Sequence, residues 1–392
     1  MKHTNELLIL RPDNIGDVVL FSGCLEHIRR IYPDCRITLA VQPHIINLVE
    51  LCPWVDRVVA IKVRRRRGTL WSCFVRVMTM GFDRWRSSLA SAYDKVIFPI
   101  KSPDPDQLVL LRNHAAPFVF GMIGCQVNAP PGGYPDALAP ANLCSHVLDV
   151  SDQMPRQHEL KTNLAFLEFL GCPAVSIEEI APKVWLSDAD LAFARQKIAV
   201  PGPVIGIFPC ASDSRRNWHK NNYALWAQKM DSPGTFVIFG SSHDMETTSE
   251  LAVSLKTACP TATVVNLAGT TLRQLMACIS LCDLLLSVDS AGLQLGIAAG
   301  IPTVGILGGW FYGRFAPWGD PNRNRIMTNH LPCFGCYMKC TRAFYECLHS
   351  IRPDDVAACC NELLCATHRQ QPLFAGSEKQ CENLIAADVQ RR

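Results

Sequence analysis

Short apolar runs that alternate with amphipathic stretches constrain the fold of this chain more than any other feature. The apolar run at residues 7–12 is followed by a polar loop at 13–17, and apolar side chains then recur at helical spacing across residues 18–31. The same order of strand, loop and helix recurs along the chain. Strands that alternate with helices form parallel sheets through crossover connections. The sequence therefore predicts an α/β protein.

The alternating pattern occurs once in each half of the chain, which predicts two domains. A length of 392 residues suits two domains of roughly 180 residues each. Further strands are predicted at residues 36–41, 55–61, 95–100 and 118–122 in the first half and at 204–208, 235–240, 263–269, 283–289 and 303–308 in the second. We expect two doubly wound, Rossmann-like domains that face each other across a cleft, with ligands at the carboxyl ends of the strands.

A stretch punctuated by proline and glycine at residues 199–203 marks the end of the first half. We place the junction within residues 185–202. This gives an N-terminal domain of residues 1–190 and a C-terminal domain of residues 191–392, and we expect a C-terminal helix to pack back on the N-terminal domain.

The overall charge is balanced, because 38 basic residues stand against 35 acidic ones and the net charge is +3. This balance argues against a dedicated nucleic-acid binder, and no nucleic acid is expected as a partner. No window reaches the roughly 20 unbroken apolar residues that a membrane span requires. The N-terminus also turns polar too early for a signal peptide. We therefore expect a cytoplasmic location.

Asp17 is the first candidate for chemistry, since it follows the first predicted strand in the segment RPDNIGD. The chain contains neither the G-x-G-x-x-G motif nor the G-x-x-x-x-G-K-[ST] phosphate loop, so nothing signals a dinucleotide cofactor directly. Gly16 allows a tight turn, and Asp17 stands at the start of the helix. Its carboxylate is either an N-cap that accepts backbone amides or a general base that removes the proton of an attacking hydroxyl.

Two more polar loops follow predicted strands of the second half. One contains Ser212 and Arg216, which suit a diphosphate because hydroxyl groups, exposed amides and a guanidinium favour an anion. The other contains Asp289, Ser290, Ala291, Gly292 and Gln294. Each loop also has a simpler explanation, a solvated basic loop in the first case and helix capping in the second. Their shared position at strand ends favours one common site.

Four segments carry a resemblance to a known family, namely residues 9–41 with the I-G-D loop, 53–61, 266–309 and 313–320. They resemble glycosyltransferase family 9, the ADP-heptose:lipopolysaccharide heptosyltransferases, and the resemblance covers nearly the whole chain. It implies the GT-B architecture, with the acceptor on the first Rossmann-like domain and a nucleotide-sugar donor on the second. It also implies an inverting, metal-independent displacement at the anomeric carbon, for which no cofactor is required.

The resemblance implies roles for individual residues. Asp17 matches the aspartate taken as the catalytic base. Ser212 and Arg216 match a hydroxyl residue and a lysine that contact the donor phosphates. The donor-sugar loop corresponds to Asp289, Ser290, Ala291, Gly292 and Gln294.

The chain departs from the family pattern at three of these positions. Arg216 replaces the usual lysine, which keeps the charge and changes its geometry. Ala291 stands where a glycine is common, and Gln294 stands where the family usually has histidine. These departures bear on the identity of the donor sugar.

A basic segment lies in the predicted acceptor domain. Residues 62–86 contain eight basic residues and one acidic residue, a net charge of +7. Such a segment is either a solvated basic loop or a surface that attracts an anionic glycolipid at the inner membrane, and in the second case the protein makes peripheral membrane contact. The residues assigned to acceptor binding are Asp13, Arg64, Arg65, Arg66 and Arg67.

Four cysteines lie close together near the C-terminus, with the spacing C-x2-C-x3-C-x6-C. In a cytosolic protein this spacing favours a tetrahedral structural metal, zinc or iron, over disulfides. Related sequences often carry cysteines here, and the resemblance extends to a branch that holds iron with them. Ordinary reduced cysteines or one oxidised pair are the alternatives. The four residues are Cys333, Cys336, Cys340 and Cys347.

Taken together, the sequence predicts a transferase that moves a heptose or a related sugar from a nucleotide diphosphate sugar to a lipopolysaccharide core or a similar glycan. Two other functions stay open. One is a GT-B enzyme that uses another nucleotide sugar, and the other is a non-catalytic sugar-nucleotide-binding protein of the same fold.

Overall fold

A computed structural model describes residues 5–63, 93–114, 116–124, 128–130, 132–151, 157–200, 202–232, 234–342 and 344–369. The basic residues Arg64, Arg65, Arg66 and Arg67 lie outside this range.

The first sheet has six parallel strands in the order β3-β2-β1-β4-β5-β6. Leu7 and Ile9 of the central strand belong to the apolar cluster on one face, whereas Leu8 and Leu10 belong to the cluster on the other. A parallel sheet must be covered on both faces, and all four side chains are fully buried. The strands are β1 (Asn5–Arg11), β2 (Cys35–Val41), β3 (Arg57–Ala60), β4 (Lys95–Phe98), β5 (Phe118–Ile123) and β6 (His146–Asp149).

Helices of the first half follow these strands. Two of them begin with a capping box, in which the N-cap and N3 residues exchange hydrogen bonds: Asp104 with Gln107, and Ser187 with Asp190. The helices are α1 (Ile15–Phe21), α2 (Cys24–Ile31), α3 (Ile46–Val49), α4 (Pro105–Asn113), α5 (Pro140–Leu143), α6 (Glu159–Phe169) and α7 (Asp188–Lys197).

The second sheet repeats the topology of the first. Its six parallel strands run in the order β12-β11-β10-β7-β8-β9, which is the same connectivity counted from its own first strand. The strands are β7 (Val204–Phe208), β8 (Thr235–Ile238), β9 (Thr263–Asn266), β10 (Leu284–Val288), β11 (Thr303–Ile306) and β12 (Asn324–Met327). The helices are α8 (Lys220–Ala227), α9 (Met245–Ala258), α10 (Leu272–Ile279), α11 (Ala291–Ala298), α12 (Glu346–His349) and α13 (Pro353–Arg369).

Two Rossmann-like halves with one shared strand order confirm the predicted fold class. The helix predicted at residues 18–31 is two helices, because the regular helical hydrogen bonding is interrupted at Ser22 and Gly23. A Cβ on Gly23 would lie 2.2 Å from the carbonyl oxygen of Ile180, so the helix pair presses directly on another backbone segment.

The two halves share one apolar cluster. Helix α10 of the second half packs against α7 and α3, and its Leu275, Met276 and Ile279 join the cluster that also covers β1. Beside this cluster, Arg273 lies 3.0 Å from Asp190 of α7 and 2.7 Å from Glu50, which follows α3. Charged contacts therefore flank an apolar contact between the halves.

Two features of the fold bear on the expected domain bounds, which stay a prediction. A boundary at residues 190–191 would cut α7, which is continuous, so the boundary is now proposed at one of its ends. The last described helix, α13, packs against α8, β10 and β11 of the second half, where Val356 and Cys360 enter the apolar core. These main contacts of α13 all lie within the second half. Residues 370–392 lie outside the described range, so a helix that packs back on the first half stays a prediction.

Glu159, at the start of α6, joins the halves on the cleft side. Its backbone N–H donates to the carbonyl oxygen of Arg314 at 2.9 Å. The guanidinium Nε of Arg314 lies 2.7 Å from Glu159 Oε1, and Lys101 Nζ lies 3.1 Å from the same oxygen. Burial opposes ionisation of Glu159, but Arg314 and Lys101 outweigh it and lower the pKa of this carboxyl to about 2.

None of the helices in the described part of the chain has the length and apolar composition needed to cross a bilayer.

Replacing Glu159 with glutamine should lower the free energy of unfolding by about 3–5 kcal/mol, because two buried cations lose their counter-charge. The folded-state pKa lies below the ordinary value of 4.5. The stabilisation is therefore complete above that value and is lost as the pH falls toward 2. Urea unfolding followed by circular dichroism across this range should show the two proteins converging at acid pH.

Glu250→Gln is the matched control, since the Glu250–Lys220 pair at 3.2 Å is largely exposed and such pairs contribute little. Equal effects of the two substitutions at neutral pH would contradict the importance of the buried pair.

Candidate active site

The carboxyl ends of the two sheets meet where α1 faces α11. Helix α1 begins after β1, and α11 begins after β10, so both present the loops in which the sequence predicted chemistry. A Cβ on Gly16 would lie only 3.3 Å from Cγ of Gln294 in the other half. The Asp17 loop and the Asp289 loop therefore line the same cleft.

Asp17 is the third residue of α1, and Asn14 occupies the N-cap position without a side-chain cap. The N-cap interpretation of Asp17 is therefore wrong, although its carboxylate interacts with the backbone of Asn14. Burial raises the pKa of Asp17, and the negative charge of Glu159 raises it further. Arg11 and Arg314 oppose this rise. Asp17 thus lies among two arginines and a second acid, drawn from both halves.

Asp13 lies near Asp17 and is only 8% exposed. Its Oδ2 lies 3.0 Å from Nε of Arg11, and its Oδ1 accepts a hydrogen bond from Nε2 of Gln107 at 2.9 Å. Burial raises the pKa of Asp13 to about 7, with Asp17 adding to the rise and Arg11 and Gln107 opposing it. Asp13 thus has an ion pair with Arg11 and a hydrogen bond from Gln107, and its predicted role in acceptor binding stays a prediction.

The loop that carries Ser212 and Arg216 lies beside the loop that carries Asp289. Arg216 donates from Nη2 to Oγ of Ser212 at 2.8 Å. Its Nη1 lies 3.8 Å from Oδ2 of Asp289. Burial raises the pKa of Asp289, whereas Arg216 and a hydrogen bond from Trp310 act in the opposite direction. Ser212, Arg216 and Asp289 thus form one cluster, as the sequence predicted.

The start of α11 is tightly packed. Ser290 is its N-cap and accepts a hydrogen bond from the backbone N–H of Gly292 at 3.2 Å, so the capping interpretation holds for this serine. Ala291 is the first helical residue. A Cβ on Gly292 would lie 2.3 Å from the ring of Phe208, which explains the glycine.

Gln294 is buried, and both ends of its amide are occupied. Nε2 donates to the carbonyl oxygen of Phe315 at 3.1 Å, and Oε1 accepts from Nε1 of Trp318 at 2.6 Å. The side chain therefore holds the loop at residues 315–318 in place. Its predicted contact with the donor stays a prediction.

Cys333, Cys336, Cys340 and Cys347 line one small cavity of about 10 Å³. All four are free thiols, so the structure contains no oxidised pair among them. Over the residues that the structure describes, no three His, Cys, Asp or Glu side chains are arranged to hold a metal ion. The cysteines are thus gathered as predicted, but their described positions do not form a ligand set.

Sequence reasoning missed four residues that shape this site: Arg11, Glu159, Trp310 and Arg314. Arg11 lies in the segment RPDNIGD and Arg314 lies in the matched segment 313–320, so both stood in segments that the resemblance had marked. Glu159 and Trp310 act through contacts between residues far apart in the chain, and no local spacing marks them.

Comparison with known proteins places the chain in a family. A family model described as glycosyltransferase family 9 (heptosyltransferase) matches residues 130–343, more than half of the chain. A lipopolysaccharide core heptosyltransferase, OpsX of Haemophilus influenzae, is 27% identical over 310 residues, which cover 76% of this chain and 78% of that protein.

Two solved structures share the fold. A family 9 glycosyltransferase from Veillonella parvula aligns with a TM-score of 0.68 at 17% identity and covers 92% of this chain and 98% of its own. The ADP-heptose lipopolysaccharide heptosyltransferase II of E. coli aligns with a TM-score of 0.65 at 17% identity, covering 93% and 99%. The matching family model and the GT-B arrangement together show that this chain is a glycosyltransferase and belongs to family 9, the heptosyltransferase family.

Proposed function

We propose that this protein transfers a heptose from ADP-heptose to a sugar hydroxyl of a lipopolysaccharide core or a similar glycan, with Asp17 as the general base. The proposal is supported by the arrangement of four residues around one cleft, namely Asp17, Ser212, Arg216 and Asp289. Gly16 of the first half lies close to Gln294 of the second half at this cleft. The names of the similar proteins support heptose and lipopolysaccharide.

The donor lies on the second half in this proposal. Arg216 and the hydroxyl of Ser212 bind the diphosphate, since a guanidinium offers directed donors to phosphate oxygens. The carboxylate of Asp289 accepts hydrogen bonds from hydroxyl groups of the donor sugar. A carboxylate beside an arginine suits a ligand that carries both phosphate and sugar hydroxyls.

The transfer is a single displacement. The acceptor hydroxyl attacks the anomeric carbon as Asp17 takes its proton, and the bond from that carbon to the diphosphate oxygen breaks. The nucleotide diphosphate leaves with the electron pair, and Arg216 stabilises the negative charge that develops on it. Arg11 and Arg314 favour the ionised form of Asp17 that this step requires.

Replacing Asp17 with asparagine should lower kcat by about 10²–10⁴-fold, the usual contribution of a general base, and should preserve donor binding. Because burial raises the pKa of Asp17, wild-type kcat/KM should fall with decreasing pH at a higher pH than an exposed aspartate would give. The measurements are transfer of heptose to a deacylated core oligosaccharide and thermal shift with ADP-heptose.

Asp231→Asn, a change of the same kind at an exposed position, is the control. Undiminished turnover in the Asp17 variant would rule out Asp17 as the base. A larger thermal shift with a UDP- or GDP-sugar than with ADP-heptose would instead favour a GT-B enzyme with another donor. Binding without turnover on any acceptor would favour a sugar-nucleotide-binding protein.

The basic segment at residues 62–86 supports peripheral contact with an anionic surface at the inner membrane, since it carries a net charge of +7. Each basic residue near such a surface contributes about 1 kcal/mol. Vesicles with anionic lipid should therefore retain the protein at low salt and release it at high salt. Replacement of Arg64–Arg67 by glutamine should abolish retention, and retention that salt leaves unchanged would contradict an electrostatic contact.

A structural metal at the cysteine cavity belongs to the same proposal. The convergence of four free thiols on one cavity supports it, although their described positions would have to shift to ligate an ion. Elemental analysis of untagged protein should find about one zinc or iron per chain, and a Cys336→Ser, Cys340→Ser variant should lose it. A metal-free wild-type protein that is folded and active would exclude the site.

A further inference from the structure

Trp310 connects the donor cluster to the cysteine cavity. It follows β11, the strand that pairs with β10, so its loop lies beside the loop of Asp289 at one sheet edge. The indole Nε1 donates to Oδ2 of Asp289 at 2.8 Å, and this bond is buried. Trp310 is 1% exposed and Asp289 is 6% exposed. A buried N–H thus points at one oxygen of a buried carboxylate.

The indole ring is held from several sides. A Cβ on Gly308 would lie 2.2 Å from the ring, so glycine is required where the loop passes under it. Tyr345 meets the ring edge-on, with centroids 5.9 Å apart at 84°. The ring also forms one wall of the cavity lined by the four cysteines. These contacts restrict the orientation of the indole ring.

The segment at residues 331–347 is tied to this loop through its backbone. The N–H of Gly335 donates to the carbonyl oxygen of Gly309 at 2.7 Å, and the N–H of Tyr337 donates to that of Trp310 at 3.4 Å. In return, the N–H of Gly309 donates to Sγ of Cys347 at 3.4 Å. The cysteine-bearing segment therefore supports the loop that carries Trp310.

Two groups from neighbouring loops face the carboxylate of Asp289. Arg216 approaches from the loop after β7, with Nη1 3.8 Å from Oδ2, and Trp310 approaches from the loop after β11. On its own element, Ser290 caps α11 and contacts Ser287. Arg216 is committed to Ser212 through Nη2, so the direct hydrogen bond from Trp310 is the contact that fixes the orientation of Asp289.

We propose that Trp310 is a positioning residue for the donor sugar: its indole N–H fixes the ionised carboxylate of Asp289, and the cysteine-bearing segment fixes Trp310. The proposal rests on the function proposed above, in which Asp289 binds the sugar. With Oδ2 directed at the indole, Oδ1 is presented to sugar hydroxyls. A hydrogen bond that favours the charged form also lowers the pKa of Asp289 against the effect of burial.

Trp310→Phe keeps an aromatic ring and removes the donor. It should raise the KM for ADP-heptose about tenfold or more, as for loss of a hydrogen bond to a charged group, while kcat at saturating donor stays close to wild type. The decrease of kcat/KM toward acid pH should begin at a higher pH than in the wild type.

In an Asp289→Asn background, where residue 289 carries no negative charge, Trp310→Phe should raise the KM for ADP-heptose no further. Trp226→Phe, a buried tryptophan in the core on α8, is the control.

Replacement of Trp310 by benzothienylalanine, which has both rings and no N–H, covers the case in which the Phe variant does not fold. Unchanged donor KM in this isostere, or an equal rise in KM with and without the Asp289 carboxylate, would overturn the proposal.

A donor-independent measurement separates this inference from the proposed function. In protein labelled at the tryptophan indole nitrogens, the Trp310 N–H resonance should titrate with Asp289 and become pH-independent in Asp289→Asn. If that titration is seen and ADP-heptose does not bind, the proposed function is wrong and the Trp310–Asp289 link is right. An indole resonance that ignores Asp289 overturns the link itself.

Discussion

On the cleft side, the contact between the two halves depends on one buried carboxylate. Glu159 is 7% exposed, and a charge so far from water is stable only with partners. Lys101, in the same half, is one cationic partner of Glu159, and Arg314, in the opposite half, is the other. The carbonyl oxygen of Arg314 also accepts a hydrogen bond from the backbone N–H of Glu159. The charge is therefore fully compensated only when the halves are in contact. Contact between the halves and ionisation in the cleft are energetically linked.

The fold could be predicted from the sequence because its central strands are buried on both faces. The four leucine and isoleucine residues of β1 form an uninterrupted apolar run, and a parallel sheet requires one. The edge strands β6 and β12 gave no such signal, since their residues are half-buried or exposed. The break between α1 and α2 could not be foreseen either, because Gly23 packs against residue 180, far away in the chain.

The site was predictable where chemistry follows directly after a strand. Asp17, Ser212, Arg216 and Asp289 all lie at such positions, and the topology brings their loops to one cleft. Glu159 and Trp310 were not predictable, because their partners are remote in sequence and no spacing connects them. Gln294 makes contacts that the sequence could not show. Its position suggested contact with the donor, whereas the fold uses its amide to hold the loop at residues 315–318.

The close approach of Gly16 to Gln294 has a consequence for engineering and for evolution of this cleft. The two positions belong to different halves, yet the free space beside one is set by the size of the other. Any new side chain at residue 294 must fit the gap that the glycine at residue 16 leaves. Residues 16 and 294 should accordingly be varied together in a library, since screening either position alone samples only substitutions that the unchanged partner tolerates.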